Sequence, residues 1–130
     1  MVEDRTRVTV LTVDDQRIFL RTARSLISAT PGFEQIGEAG SGEEALELAA
    51  HLRPDLVLVD VRMPGMDGVE TARRLTEADP ATTVVLISLE EVPQLSAAVD
   101  RAGAAGYIRK QDLSTRSLTE LWDRYRLPTA

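Results

Sequence analysis

The sequence predicts an α/β fold: a doubly wound, five-stranded parallel sheet with helices on both faces. Two observations carry that expectation. Short β-branched runs alternate five times with longer segments of helical period. The central strands are also almost continuously apolar, as strands buried on both faces are, whereas a half-exposed strand would alternate apolar with polar residues. Five strand–helix units joined by right-handed crossovers make a three-layer (βα)5 sandwich.

The elements follow in order. Val8 to Val13 reads as the first strand, and Phe19, Ala23, Leu26 and Ile27 share one face of the helix after it. Pro31-Gly32 ends that helix, and Phe33 to Glu38 is a weaker second strand. Ser41, with Glu44 three residues on, has the form of a capping box for a helix through Ala45, Leu48, Ala49 and Leu52, which Pro54 breaks. Asp55 to Asp60 is a buried strand. Pro64-Gly65 suits the central positions of a type II turn, leading to a helix over about Gly68 to Ala78 with Val69, Ala72 and Leu75 inward. Thr83 to Ser88 is the fourth strand. Pro93 fits the first position of a helix that carries Leu95, Ala98, Val99 and Ala102 and stops at Gly103. Tyr107-Ile108 marks a short fifth strand, and Leu118, Leu121, Trp122 and Tyr125 form the apolar stripe of the last helix. Residues 8–126 are expected to make one domain, with a flexible N-terminus over 1–7 and a tail over 127–130.

Composition narrows the function. The chain has 130 residues, 43% apolar but only 4% aromatic, enough for one aliphatic core and too apolar for a disordered tail. Twenty-one acidic against fifteen basic residues give a formal charge of −6. That balance opposes direct nucleic-acid binding, which needs a surplus of cations to displace counterions. The absence of cysteine excludes disulfides, thiolate metal sites and a cysteine nucleophile. Met1-Val2-Glu3-Asp4-Arg5 carries no apolar run of the secretory type, and nothing approaches the roughly 18 apolar residues of a membrane span. No membrane contact and a cytoplasmic location are expected by elimination. Fourteen of the fifteen basic residues are Arg; Lys110 is the only lysine.

Ligands of doubly wound sheets bind outside the carboxyl ends of the strands. Asp14-Asp15, Asp60, Ser88 and Lys110 follow strands one, three, four and five at that edge. Taken singly, each has a plainer role: a helix cap for Asp14 or Asp15, a turn for Asp60, a local backbone bond for Ser88, a solvated charge for Lys110. Together they are harder to explain, because three converging carboxylates raise one another's pKa unless positive charge sits among them. Mg2+, which takes hard oxygen ligands and phosphate oxygens, supplies that charge, with Mn2+ as the alternative ion. Asp60 then stands as a carboxylate nucleophile toward a phosphoryl group, with Lys110 and Ser88 donating to the same oxygens. His51, near the end of the second helix and away from this edge, reads as a surface histidine rather than a phosphodonor.

These residues resemble the response-regulator receiver domains of two-component signalling, over about Val8 to Tyr125. The most specific stretch is Asp60-Val61-Arg62-Met63-Pro64-Gly65-Met66-Asp67-Gly68. The resemblance implies the flavodoxin-like strand order 2-1-3-4-5. It implies Asp60 as phosphoacceptor and Asp14, Asp15, Asp60 and the backbone carbonyl of Arg62 as metal ligands. Ser88 and Lys110 would contact the phosphoryl group, and Tyr107 would be the switch residue. The partners it implies are a cognate histidine kinase or phosphotransfer protein and a downstream protein on the fourth helix–fifth strand–fifth helix surface. It also allows a phosphorylation-dependent homodimer. Such a domain catalyses its own phosphorylation and hydrolysis, enzyme-like without a turnover substrate.

Three departures stand out. Leu89 replaces the usual small residue beside the phosphoryl pocket and is expected to slow phosphorylation, dephosphorylation or both. Arg62 and Glu90, two residues after Asp60 and Ser88, are expected to flank the mouth, to pair across it and to tune water access. Gln111 follows Lys110 where the family often has proline after a cis bond; a cis bond before a non-proline costs about 2.5–4 kcal/mol, which leaves that loop's geometry open. A haloacid-dehalogenase-like phosphatase needs a second Asp where Arg62 stands. Two alternatives stay open: a receiver that works as an interaction module without phosphorylation, to which Leu89 points, and the receiver half of a truncated DNA-binding transcription regulator. The short tail after the last helix favours a stand-alone receiver.

Overall fold

The computed structural model describes residues 7–126; the tail expected over 127–130, and the N-terminal segment except Arg7, lie outside them. Five parallel strands stand in the order β2-β1-β3-β4-β5. They are β1 (Val8–Val13), β2 (Phe33–Ala39), β3 (Leu56–Asp60), β4 (Thr83–Ser88) and β5 (Gly106–Arg109). The helices are α1 (Arg17–Ser28), α2 (Gly42–Leu52), α3 (Gly68–Ala78), α4 (Val92–Ala102) and α5 (Thr115–Tyr125).

The period of two along each strand divides the core cleanly. Leu11 and Val13, Val57 and Val59, and Val84 and Leu86 pack with Ala45 of α2, Ala72 and Leu75 of α3, and Leu95 and Ala98 of α4. Val8 and Val10, Leu56 and Leu58, and Val85 and Ile87 pack on the other face with Ala23 and Ile27 of α1 and Leu118 and Leu121 of α5. Every residue of β3 and β4 is buried, which accounts for their unbroken apolar runs.

Several boundaries differ from the sequence expectation. α1 stops at Ser28, before Pro31, and its fully inward residues are Leu20, Ala23 and Ile27, with Phe19 only half-buried. Asp55 lies outside β3, where its carboxylate accepts from Thr9 N and Oγ1. α4 starts at Val92, so Pro93 is its second residue. The capping box of α2 is half formed: Ser41 Oγ accepts from Glu44 N at 3.1 Å, but Glu44 reaches back to Gly40 N rather than Ser41 N. A complete box instead opens α5, where Ser114 and Ser117 cap each other's backbone. Trp122 is half-buried against the α1–α5 core, in keeping with its place on the apolar stripe.

Candidate phosphoryl-acceptor site

Strand register brings the polar residues together. Val13 stands opposite Val59, so Asp14 emerges from β1 beside Asp60 of β3. Asp60 pairs with Ile87, setting Ser88 one step beyond; Ser88 pairs with Arg109, setting Lys110 one step beyond in turn. The loop after Asp60 is pinned to the sheet by Val61 N, which donates to Ile87 O at 3.0 Å. Gly65 has φ +75, as the second central residue of a type II turn requires. Gly68 tolerates no side chain, since a Cβ there would lie 1.9 Å from the carbonyl oxygen of Asp60.

Asp14 is fully buried and Asp60 is 5% exposed, while Asp15 is exposed. One carboxylate oxygen from each of the three falls within 4.8 Å of the others. Lys110 Nζ lies 2.7 Å from Asp14 Oδ2 and 3.6 Å from Asp60 Oδ1, and the lysine side chain is 8% exposed. Asp14 Oδ1 accepts from Gln16 N at 2.8 Å, whereas Oδ2 has the ammonium beside it but no well-aligned hydrogen bond. Asp60 is pushed up to about 6, first by burial and then by the Asp14 charge; Lys110 and a hydrogen bond from the Arg62 backbone pull against that rise.

Ser88 is buried and its Oγ accepts from Glu90 N at 3.0 Å, which leaves its own proton free to be donated. Arg62 Nε and Glu90 Oε2 form the ion pair expected across the mouth. Leu89 is 65% exposed and turns to the opposite flank, where with Ile18, Phe19 and Lys110 it lines an open groove of about 680 Å³. Tyr107 is half-buried on β5 against the α2–α3–α4 core. His51 is exposed, with Nδ1 2.9 Å from Glu47 O at the end of α2.

The bond between Lys110 and Gln111 is trans, because no described peptide bond is cis, and residues Lys110–Asp112 form a 3-10 turn that the sequence did not announce. Phe19 was the other omission. Lys110 Nζ sits 4.6 Å from the centre of its ring. The apolar spacing of α1 marks Phe19 only as a core residue, and a contact across 91 positions has no local signature.

Comparisons with known proteins agree with this geometry. The family model for the response regulator receiver domain matches residues 10–121. The response regulator GacA of Pseudomonas aeruginosa is 37% identical over 103 residues, 79% of this chain and 48% of that protein. The nitrate/nitrite response regulator protein NarL of Escherichia coli K12 is 37% identical over 102 residues, 78% of this chain and 47% of that protein. The chain thus spans about half the length of these curated relatives. The crystal structure of a two-component response regulator of the LuxR family from Aurantimonas sp. SI85-9A1 superposes with a TM-score of 0.81 at 27% identity, covering 93% of this chain and 89% of that one.

Proposed function

The chain belongs to the response regulator receiver domain family, and we propose that it is a phosphorylation-controlled switch with Asp60 as the phosphoacceptor. The observation that carries this reading is the buried Asp14–Lys110–Asp60 cluster with Asp15 beside it at the carboxyl edge of the sheet. A histidine kinase or phosphotransfer protein is the donor. The product is an acyl phosphate that resets a surface read by another protein, with no direct role for nucleic acid or membrane. A cytoplasmic location follows from that role, and among the described residues no helix is long and apolar enough to cross a membrane.

The residues fit Mg2+, with Mn2+ as a substitute: the donors are hard oxygens, and buried Asp14 Oδ2 lacks an aligned hydrogen bond. Asp14, Asp15, Asp60 and the Arg62 carbonyl would hold the ion. When bound, it offsets the negative charge that gathers on the carboxylates and phosphoryl oxygens. An ionised Asp60 oxygen bonds to phosphorus as the donor's P–N bond breaks, and that electron pair stays on the imidazole nitrogen. Lys110 is close enough to Asp60 to turn its ammonium to a phosphoryl oxygen, and Ser88 has a hydroxyl proton to give it. Those two movements draw β4 and β5 toward the site and offer Tyr107 an inward position, which biases the α4–β5–α5 surface between two states. In the hydrolysis that ends the signal, water attacks phosphorus, the P–O bond to Asp60 breaks with its electron pair returning to the carboxylate, and phosphate leaves, with Leu89 and the Arg62–Glu90 pair limiting the water's approach.

Incubation with Mg2+ and acetyl phosphate, followed by intact mass, tests the proposal. A gain of one phosphoryl group that Asp60→Asn abolishes supports it; an unchanged mass favours the second reading, an interaction module that works without phosphorylation. The observation behind that second reading is exposed, apolar Leu89 next to the site.

A further inference from the structure

We propose that Phe19 is a positioning residue for Lys110, its ring face holding the ammonium at the phosphoacceptor. The inference rests on the reading of Asp60 given above. Three groups surround the Lys110 ammonium: Asp14 at 2.7 Å, Asp60 at 3.6 Å and the Phe19 ring centre at 4.6 Å. A cation over a ring face is attracted by the ring quadrupole, and the attraction strengthens where water is excluded. The lysine side chain is 8% exposed, so water is largely excluded here.

The three partners differ in one respect. Asp14 and Asp60 are proposed metal ligands, and a divalent ion competes with an ammonium for their oxygens. Phe19 offers no oxygen, so its hold on Lys110 is the one that neither a divalent ion nor the modification of Asp60 takes away. The ring also carries no hydrogen-bond direction, so the ammonium can move from a carboxylate to a phosphoryl oxygen without losing this contact. Lys110 follows the short strand β5 and lies in a 3-10 turn, and the open groove beside it is lined by Ile18 and Leu89. Without the ring, the two carboxylates are the remaining partners recorded for the ammonium among the described residues.

The lone lysine makes the test direct, because every lysine side-chain signal belongs to residue 110. In the full chain, the Lys110 Hε resonances are expected upfield of free lysine through the ring current. The displacement should persist when Mg2+ is added and vanish in Phe19→Leu. Phosphorylation by acetyl phosphate should then slow about fivefold at saturating donor in Phe19→Leu, with half-saturation changed less than about twofold and recovery in Phe19→Tyr. Site-specific trifluorophenylalanine at position 19 keeps the shape but weakens the quadrupole; it should slow the reaction even if Phe19→Leu packs poorly. An ordinary Lys110 shift in the unmodified chain, a wild-type rate in both Phe19→Leu and the fluorinated protein, or a Phe19→Tyr as slow as Phe19→Leu would overturn the inference. A wild-type chain that gains no phosphoryl group defeats the Asp60 reading instead, and the Lys110 resonance still reports the contact.

Discussion

Two ion pairs flank the same carboxylate and differ in almost everything else. Lys110 with Asp14 and Asp60 is enclosed at the end of the sheet, whereas Arg62 with Glu90 spans the mouth with the arginine 78% exposed. In the buried cluster the charges are largely shielded from water and depend on one another. At the mouth, water and salt replace whatever the pair loses. The deep flank therefore governs stability and chemistry together, while the shallow one can tune a rate at little structural cost.

The largest effect is expected from breaking the deep flank. Lys110→Met leaves two acidic side chains buried without their cation and should lower stability by about 3 kcal/mol near neutral pH, read by urea unfolding. Lys110→Arg keeps the charge and should hold stability within about 1 kcal/mol, yet a planar guanidinium cannot sit as a point charge beside the phosphoryl group, so phosphorylation should fall at least about tenfold. A fully active Lys110→Arg would make the lone lysine incidental.

Asp60→Asn reverses the sign. With its carboxyl pushed up to about 6 from an ordinary 3.8, the native state binds the proton more tightly than the unfolded state. Stability therefore declines as pH rises through that window and is lowest, as far as Asp60 contributes, above it. The Asn variant should be more stable by about 1–2 kcal/mol near pH 7.5 and gain nothing near pH 3.5, below both values. Unfolding curves at the two pH values check this.

The exposed positions on either side of the mouth give the smallest changes. Leu89→Ala should leave the melting temperature within a few degrees while speeding phosphorylation, hydrolysis or both, in keeping with its exposure. Arg62→Ala and Glu90→Ala should each cost under about 1 kcal/mol. Their double mutant should differ little from either single one, a result that thermal melts at low and high salt would establish.

The same contrast explains what could be read in the chain beforehand. Strands such as Asp-Leu-Val-Leu-Val-Asp over 55–60 declare themselves, because burial on both faces demands continuous apolar residues, and the strand ends then put Asp14, Asp60, Ser88 and Lys110 on one edge. Arg62 and Glu90 were expected to meet because each sits at the same offset from adjacent strand ends. The 3-10 turn at Lys110 and the Ser114–Ser117 box depend on short polar loops with several acceptable backbone paths. The half-formed cap at Ser41 turned on which of two neighbouring N–H groups Glu44 would find. Phe19 over Lys110 needed the packing of α1 against the end of β5, which no periodicity reports.

The central claim is that the enclosed cluster makes Asp60 the phosphoacceptor, and one measurement addresses it at the level of a single residue. Borohydride reduces an acyl phosphate but leaves a free carboxylate untouched. Reduction after treatment with Mg2+ and acetyl phosphate, followed by peptide mapping, should therefore place the reduced side chain at position 60 alone. A reduced residue at Asp14 or Asp15, or none anywhere in the chain, would contradict the account.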